Sequence, residues 1–429
     1  MIKDFKFDES QKFYKLLGYK AHVLRRALRQ KNIVIEFFKD EKGSSRKWVA
    51  QGKNKTIAFN QTMPIKTLSG ARRLTNDKEN TKQILNKSGI RVPKGIVIDA
   101  SDFDKALDWF NTLENKKVVA KPISGSHGNG IVSAINSAHK LKTTLQNSIS
   151  QKLVLEEHID GFDHRILVVG GKVIAAMKRW PSNVVGDGRL TVHELVQLKN
   201  KTRIKNPFDG RFPVVINDES LRLLSEQGID SNGIPKKGQR IYLRTVSNIG
   251  SGGEGEDVTD MIHPDFIKVA EDCWRAFDDV ECCGVDMMLS DISQPADAQS
   301  HAVIEINVNC DIPIHHWPAI GRPIDVASYI ADHYFPDDEL ELNHAAKVVI
   351  QCKSKGVGYT KWLARQAVLF GLTGYCKNLN GTVEVLIEGS KNSIDSVLRM
   401  CAAGPGKITP VDIHYEFVPH ERNESFKIL

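Results

Sequence analysis

The sequence predicts an α/β protein that is followed by a smaller α+β domain, and three observations support this. Helix-like and strand-like segments alternate between residues 76 and 122, as in helices layered on a sheet. Residues 346–429 follow the order β-α-β-β-α-β. Between these parts, residues 303–316 read VIEINVNCDIPIHH, in which polar and apolar side chains alternate as on a half-buried strand.

The composition is typical of a soluble globular protein. A chain of 429 residues can form two or three domains with a sizeable core. Hydrophobic residues make up 41% and charged residues 26%, which excludes a disordered or fibrous chain. The net charge is +7, but lysines and arginines are mixed with acids and form no basic arm, so we expect no nucleic-acid partner.

The cysteines and the chain start predict a cytoplasmic protein. The seven cysteines are scattered and show no CxxC spacing, which favours a reducing compartment. Cys282 and Cys283 lie in an apolar, strand-like run, and we expect them in a core. The first residues, MIKDFKFDESQKF, lack the apolar segment of a signal peptide, and no apolar run is long enough for a membrane span.

The functional prediction depends on the strand within 303–316. Side chains alternate along a strand, so Glu305, Asn307 and Asn309 share one face while their neighbours point into a core. A carboxylate and an amide oxygen suit a hard cation such as magnesium. The upstream apolar run CCGVDMMLSDI could bring Asp286 beside them in a hairpin. The spacing alone also fits an ordinary strand whose polar face is only wet.

Residues 1–75 read as a small α/β lobe without assignable chemistry, which we expect to pack and to help shape a substrate pocket.

Further along, a glycine-rich loop, ISGSHGNGIV, follows the strand that ends at Lys121. Such a loop lets backbone N–H groups approach phosphate oxygens without interference from a Cβ. It is neither a Walker A loop nor a Rossmann loop, and a plain glycine-rich turn is the alternative. Each charged residue on the next strands, such as Asp163 or Arg165, could by itself simply lie on a solvent-exposed face.

Taken in order, these motifs resemble the ATP-grasp carboxylate–amine ligases, and most closely the ATP-grasp module shared by cyanophycin synthetase and bifunctional glutathione synthetase. The matching strings are DKENTKQILNKSGIRVPKG, VVAKPISGSHGNGI, LEEHIDGFDHRILVVGGKVIAAMKR, VVGDGRLTVHEL, SEQGIDSNGIPKKGQRIYLRTVSNIGSGGEGEDVTD and GVDMM with VIEINVN. The resemblance implies an ATP-grasp fold over residues 76–340, with ATP and Mg²⁺ as cofactors.

The resemblance also implies a role for each matched position. The nucleotide-binding positions are Lys82, Lys121, Ser126, Gly128, Gly130, Glu156, Glu157, Ile159 and Asp163. Among them, Glu156 resembles the hinge acid near the adenine and Asp163 the acid that binds ribose. The implied metal ligands are Asp286, Glu305 and Asn307, and no matched motif gives a role to Asn309.

The remaining matched positions concern the substrate. The implied catalytic residues are Arg244, Arg179 and Asn248, with Arg244 steadying an acyl phosphate, and the implied substrate-binding residues are Arg165, Gly252 and Gly253. The expected reaction forms an amide between a carboxylate and an amine, both amino acids or peptides, through an acyl phosphate. Relatives of this kind imply a homo-oligomer.

After the acidic segment DHYFPDDELELNHAA, which reads as a linker, residues 345–429 form the second pattern, whose element order is ferredoxin-like. The strings KGVGYTKWLARQA, GLTGYCKNLNGTVEVLIEG and AAGPGKI resemble acylphosphatase. In that resemblance Asn378 positions the attacking water, but Thr360 stands where a phosphate-binding arginine is expected. Without a guanidinium the loop loses bidentate phosphate capture, so we expect a structural or regulatory module.

Two other functions stay open at this point. One is an acylphosphatase-type hydrolase regulated by a nucleotide-binding domain, against which Thr360 argues. The other is a non-catalytic nucleotide-binding adaptor, against which the complete metal set argues. The sequence names neither the acyl donor nor the amine acceptor, and His315 and His316 could touch substrate or only pack.

Overall fold

The computed structural model describes residues 19–38, 47–68, 74–75, 77–122, 130, 132–352, 357–405 and 410–429. The N-terminal lobe is one helix and an antiparallel sheet in which each strand pairs with the next. Its elements are α1 (Tyr19–Gln30), β1 (Val34–Phe38), β2 (Lys47–Gln51), β3 (Thr56–Asn60) and β4 (Met63–Pro64). The rings of Trp48 and Phe59 stack with centroids 4.3 Å apart. Phe59 meets Tyr334 edge-on at 5.4 Å, so the lobe shares a core with the following part of the chain.

A four-stranded antiparallel sheet of order β5-β8-β6-β7 comes next. Its elements and helices are α2 (Lys78–Lys87), β5 (Gly95–Asp99), α3 (Phe103–Thr112), β6 (Val118–Pro122), β7 (Val132–Ile135), α4 (Ala138–Gln146) and β8 (Lys152–Glu157). Helix α2 begins after Asp77, whose carboxylate accepts hydrogen bonds from two backbone N–H groups of the first turn. Phe110 of α3 and Leu141 of α4 are buried in the core of this layer.

A five-stranded antiparallel sheet of order β13-β10-β9-β14-β15 carries the predicted metal strand at its edge. The elements are β9 (Phe162–Val169), β10 (Lys172–Trp180), β13 (Glu254–Asp257), α7 (Pro264–Arg275), β14 (Cys282–Leu289) and β15 (His301–Asn307). β14 and β15 pair with Asp286 opposite Glu305, so the hairpin expected from the sequence is present. Helix α7 buries Phe266, Ala270 and Cys273, as its amphipathic pattern predicts.

The insertion between β10 and β13 contains a helix that the sequence pattern did not predict. Its elements are β11 (Asn183–Val185), α5 (Val192–Arg203), α6 (Asp218–Glu226) and β12 (Arg240–Tyr242), and β11 pairs with β12. The unpredicted helix is α6. A capping box between Asn217 and Ser220 starts it, but only Ser220 and Leu224 are buried. The helix is only nine residues long, which is shorter than the window of about 11–18 residues over which apolar periodicity indicates a helix.

The C-terminal domain has a five-stranded sheet of order β19-β16-β18-β17-β20. Two helices, α8 (Pro313–His316) and α9 (Val326–Tyr334), precede it, and its own elements are β16 (His344–Cys352), α10 (Val357–Leu369), β17 (Thr373–Leu379), β18 (Thr382–Gly389), α11 (Lys391–Ala403), β19 (Pro410–Val418) and β20 (Phe426–Ile428). The predicted β-α-β-β-α-β order is present. Two details differ: α10 begins inside the stretch expected to be a loop, and β20 adds a parallel strand beside β17.

The C-terminal domain packs on helix α1 of the N-terminal lobe. Arg29 Nη1 donates to the Leu369 carbonyl at 2.9 Å. Ser390 Oγ donates in return to the Arg29 carbonyl at 2.8 Å. None of the helices in the described part of the chain is long and apolar enough to cross a membrane. The domain limits 1–75, 76–340 and 345–429 stay a prediction.

Candidate active site

A cavity of about 900 Å³ is lined by residues of both central sheets. Most of the positions that the sequence singled out line this one cavity: Lys121, Glu156, Glu157, Ile159, Asp163, Arg165, Arg179, Arg244, Asn248, Asp286, Glu305 and Asn307. They come from segments up to two hundred residues apart in the chain. Ser126 and Gly128 lie outside the described residues, and Gly130 lines a neighbouring cavity instead.

The floor of the cavity is the paired end of β14 and β15. Asp286 and Glu305 are direct cross-strand partners, so both carboxylates lie on the same face of the sheet. Asn307, two residues along β15, donates from Nδ2 to Asp286 Oδ2 at 3.2 Å. The alternation read from the sequence therefore places these three side chains together.

Two arginines of the neighbouring strands hold Asp286. Arg165 forms a bidentate pair with it, in which Nη2 donates to Oδ2 at 2.8 Å and Nε donates to Oδ1. Arg179 Nη2 lies 3.0 Å from the same Oδ2 and 2.6 Å from Asp163 Oδ1. Burial alone would raise the pKa of Asp286, but the two guanidinium groups outweigh it and hold the pKa below its usual value.

The donor set of the floor fits a magnesium ion. Two carboxylates and an amide oxygen are hard oxygen ligands on one face, and magnesium is commonly bound through one or two carboxylates together with substrate phosphates. Across the described ranges, no group of three or more His, Cys, Asp and Glu side chains is placed to hold a metal. A cation at Asp286, Glu305 and Asn307 would have to displace the guanidinium contacts to Asp286.

On the other side of the cavity, the lining residue Glu156 is shared by two lysines, of which Lys121 lines the cavity and Lys82 lies behind the carboxylate without lining it. Lys82 of α2 and Lys121 of β6 both form ion pairs with Glu156 of β8, and all three side chains are buried. Burial lowers the pKa of Lys121, and the charge of Glu156 offsets this only in part. Burial would raise the pKa of Glu156, but the two lysines outweigh it and lower the value. The predicted adenine-side acid is thus the counter-ion of both predicted phosphate-binding lysines.

Arg244 lines the cavity but is bonded to the start of α6. Its Nη1 donates to Asn217 Oδ1 at 2.7 Å, to the Leu243 carbonyl at 2.8 Å and to Ser220 Oγ, and its Nη2 donates to the Val215 carbonyl at 3.2 Å. The arginine thereby fixes the end of the insertion at the cavity wall. Contact with a substrate requires exchange of some of these bonds.

The glycine-rich turn after Arg244 is shaped by its own backbone. Gly252 has a φ of +87°, a conformation that favours glycine. A Cβ on Gly253 would lie 2.7 Å from the Asn248 carbonyl oxygen, so no larger residue fits there. Asn248 lines the cavity and accepts from the Gly250 N–H at 2.8 Å, whereas Gly252 and Gly253 do not line it.

In the described part of the C-terminal domain, the acylphosphatase-like position Thr360 is buried and Asn378 is half-buried. Thr360 lies in the first turns of α10 and is 5% exposed, and its carbonyl accepts a weak hydrogen bond from Cys376 Sγ at 3.7 Å. Asn378 Oδ1 accepts from the Gly381 N–H at 3.2 Å across the β17–β18 turn. Residues 353–356 of the expected phosphate loop lie outside the described residues.

Comparison with known families agrees with both halves of this description. Residues 75–200 match the family described as RimK-like ATP-grasp domain, and residues 346–428 match acylphosphatase. The chain combines an ATP-grasp domain with an acylphosphatase domain. The β-α-β-β-α-β order and the two-sheet cavity are therefore the features of two known folds.

Individual relatives match about two thirds of this chain. Cyanophycin synthetase from Trichormus variabilis is 34% identical over 285 residues, which are 65% of this chain and 31% of that protein. The glutathione biosynthesis bifunctional protein GshAB from Clostridium perfringens is 34% identical over 273 residues, 61% of this chain and 34% of that protein. The crystal structure of a bifunctional glutathione synthetase from Pasteurella multocida has a TM-score of 0.53 at 28% identity, covering 71% of this chain and 41% of that one. The chain thus spans about a third of the length of these curated relatives.

The sequence patterns do not reveal a buried charge network beside the glycine-rich turn at Gly253. Arg203 donates from Nη2 to the Gly253 carbonyl at 2.8 Å, and its Nη1 lies 3.6 Å from Asp209 Oδ2. Lys199 Nζ lies 2.7 Å from Glu254 Oε2 in the same network. Burial raises the pKa of Asp209 to about 7, although Arg203 opposes this. These residues are up to 55 positions apart and form no motif, so spacing could not reveal them.

Asn309 and His316, which follow the metal strand, have structural partners, and His315 is buried beside them in the sequence. Asn309 accepts from Thr62 Oγ1 at 2.9 Å and donates to Gln61 Oε1 at 3.1 Å, which ties the N-terminal lobe to the end of the ATP-grasp strand. His315 and His316 are buried, and His316 Nε2 accepts from the backbone of α9. Leaving Asn309 out of the predicted metal set agrees with this packing role.

Proposed function

We propose that this protein is an ATP- and magnesium-dependent ligase that forms an amide bond between a carboxylate and an amine through an acyl phosphate. The observation that carries the proposal is the single cavity in which Asp286, Glu305 and Asn307 face Lys121 and its partner Glu156. One wall offers oxygen ligands for a cation, and the other offers buried lysines for phosphates. This charge arrangement suits a nucleoside triphosphate with its metal.

The chemistry explains why such a site is needed. A carboxylate is a poor electrophile, so the γ-phosphoryl group of ATP is transferred to it, which leaves ADP and an acyl phosphate. An amine then forms the C–N bond, and the C–O bond to phosphate breaks. Magnesium, when bound, neutralises charge on the transferring phosphates.

The side chains of this chain act by exchanging partners. Lys82 and Lys121 exchange part of their contact with Glu156 for the phosphates of ATP, since an ammonium group has three N–H donors and can hold both anions. Arg165 and Arg179 give up part of their hold on Asp286 and become donors for the reacting carboxyl group. Each exchange replaces one ion pair by another, so no charge is left buried alone.

The relatives guide the choice of substrates. Cyanophycin synthetase and the glutathione biosynthesis protein are named for products that contain amino acids. We therefore propose amino acids or peptides as the carboxylate and amine substrates, with no nucleic acid or membrane as a partner. A cytoplasmic homo-oligomer is part of the same proposal, and light scattering after size exclusion measures its subunit number.

Hydroxylamine trapping tests the reaction. The purified full chain is incubated with ATP, magnesium and hydroxylamine, together with single amino acids and dipeptides as candidate acids. We expect an acyl hydroxamate and ADP in equal amounts with the right acid, and neither product without magnesium. If the correct acid and amine release ADP but no hydroxamate and no amide form, the acyl phosphate route is wrong.

A further inference from the structure

A second cavity adjoins the proposed ATP cavity and shares a wall with it. Its volume is about 740 Å³, and it lies between β7 of the four-stranded sheet and helix α6 of the insertion. The shared wall includes Glu226, Arg244 and Thr245, which line both cavities. A molecule in the second cavity would therefore lie directly beside the position where a carboxylate is activated.

Most charged groups of the second cavity already have partners. Lys140 Nζ donates to the Ala134 carbonyl at 2.9 Å. Glu219 accepts from Thr245, both from its backbone N–H at 3.1 Å and from its hydroxyl at 3.0 Å. Arg244 is bonded to the start of α6 as described above. These groups shape the cavity more than they offer free charge to a ligand.

Glu226 differs from them in its position and in its partner. Among the residues that the structure describes, Glu226 is the one acidic residue that lines both cavities. It forms an i,i+4 ion pair with Arg222 at 2.6 Å, in which both side chains are more than half exposed. Exposed pairs of this kind contribute little free energy, so a ligand can replace Arg222 at low cost.

We infer that Glu226 binds the acceptor amine in its ammonium form and that the second cavity is the acceptor site. This inference rests on the proposed ligase function. Amines are mostly protonated at neutral pH, so a carboxylate at the junction of the cavities attracts the ammonium group and holds its nitrogen next to the acyl phosphate. The ammonium first gives one proton to the Glu226 carboxylate or to solvent. The freed lone pair then forms the C–N bond while the C–O bond to phosphate breaks, and the second proton lost from nitrogen leaves with the phosphate. Glu226 is then a specificity-determining residue that favours primary ammonium compounds as acceptors.

Comparison of a charged and an uncharged nucleophile tests the inference. Hydroxylamine is largely uncharged at neutral pH, whereas the amino group of an amino acid is cationic. With the acid that gives a hydroxamate in the wild-type protein, KM is measured for hydroxylamine and for the amino acids that serve as acceptors. In Glu226→Gln we expect KM for the amino acid to rise about tenfold or more, which corresponds to about 1.4 kcal/mol, and to rise far more than KM for hydroxylamine.

Two further variants separate ammonium binding from a structural role. Arg222→Gln removes the partner of Glu226 but keeps its carboxylate, so KM for the amino acid should not rise. Glu226→Asp keeps the charge and should recover part of the lost affinity. The inference would be wrong if Glu226→Gln raised both KM values by the same factor, or if Arg222→Gln raised KM for the amino acid as much as Glu226→Gln does. In either case, a hydroxamate formed by the wild-type protein would still support the ligase proposal. If no acid gives a hydroxamate, the ligase proposal fails and the inference falls with it.

Discussion

Arg165 Nη2 lies 2.8 Å from Asp286 Oδ2, so the carboxylate at the floor of the cavity is held by a buried guanidinium. The two side chains are 11% and 8% exposed. Removal of one partner from such a pair is costly, because the remaining charge is left without water and without a counter-ion. The proposed metal ligand is therefore also a stabilising residue of the ATP-grasp domain.

We expect Asp286→Asn to lower the free energy of unfolding by about 3–5 kcal/mol, because Arg165 and Arg179 both lose their charged acceptor. Guanidinium chloride unfolding measures this loss. The same variant should give no magnesium-dependent hydroxamate.

Glu305→Gln is the matched control for that variant. Glu305 lies opposite Asp286 on the same sheet face but is only partly buried. We expect it to lose magnesium-dependent activity with a change in unfolding free energy below about 1 kcal/mol. Equal destabilisation by both variants would contradict the explanation by a buried ion pair.

The parts of the structure that sequence could predict are those with a local pattern. The hairpin of Asp286 and Glu305 follows from an apolar run and an alternating strand that are neighbours along the chain, joined by residues 290–300. In the C-terminal domain, the predicted segments TGYCKNL and TVEVLIEG are strands β17 and β18 with the same limits. Each of these elements is specified by side-chain alternation and by turn residues close to it in sequence.

The partners of charged side chains were not predictable in this way. The resemblance to ATP-grasp ligases marked Lys82 and Glu156 as nucleotide-binding positions, but their mutual ion pair spans 74 residues. The same resemblance assigns Arg244 to an acyl phosphate, yet its guanidinium donates to Asn217 and Ser220 at the start of helix α6. Charge pairing depends on the folded arrangement of distant segments, which a single sequence does not display.

The Asn309 amide is a structural link, and we expect Asn309→Ala to destabilise the protein without weakening its binding of magnesium and ATP. It bonds to Thr62 and Gln61 of the N-terminal lobe, so its loss should cost about 1–2 kcal/mol in urea unfolding. Asn307→Ala should do the reverse and weaken magnesium-dependent nucleotide binding in isothermal titration calorimetry. A loss of magnesium affinity in Asn309→Ala would make that residue a metal ligand.

Glu156→Gln tests the role of the carboxylate shared by two lysines. Lys82 and Lys121 would keep their charges in a buried setting without a counter-ion, so we expect a loss of about 3 kcal/mol in unfolding free energy. ATP supplies phosphate charge to the same lysines. The rise in melting temperature on addition of magnesium and ATP should therefore be larger for the variant than for the wild type.

The neighbouring Glu157→Gln is the control. Its carboxylate pairs with Arg91 at 3.5 Å, and Arg91 is 46% exposed, so the loss should stay below about 1 kcal/mol. If Glu156→Gln is as stable as Glu157→Gln, the lysine pairing contributes nothing to the fold.

We expect the acylphosphatase domain to hydrolyse benzoyl phosphate no faster than buffer does. Thr360 supplies no guanidinium for bidentate phosphate binding and is buried in α10. Release of benzoate by the full chain is followed by ultraviolet absorbance, and Asn378→Ala serves as the comparison. Hydrolysis that disappears in Asn378→Ala would show an active hydrolase site despite the missing arginine.

The buried network that contains Asp209 and Arg203 predicts a specific pH dependence of stability. Burial raises the pKa of Asp209 to about 7 from its ordinary value of 3.8. Between these two values the folded protein keeps the Asp209 proton while the unfolded chain loses it, so the contribution of this group to stability falls as the pH rises. The slope for one such group is about 1.4 kcal/mol per pH unit. Asp209→Asn removes this titration but keeps the size of the side chain.

Unfolding free energies of the wild type and of Asp209→Asn are measured from pH 5 to pH 8, and the difference between them isolates this group. We expect the unfolding free energy of the wild type minus that of Asp209→Asn to decrease up to about pH 7 and to stay constant above it. A difference that stays constant from pH 5 to pH 8 would mean that Asp209 is already ionised in the folded protein and pairs with Arg203 throughout this range. In that case the carbonyl bond from Arg203 to Gly253 would be held by a permanent ion pair, and the glycine-rich turn would be insensitive to pH in this range.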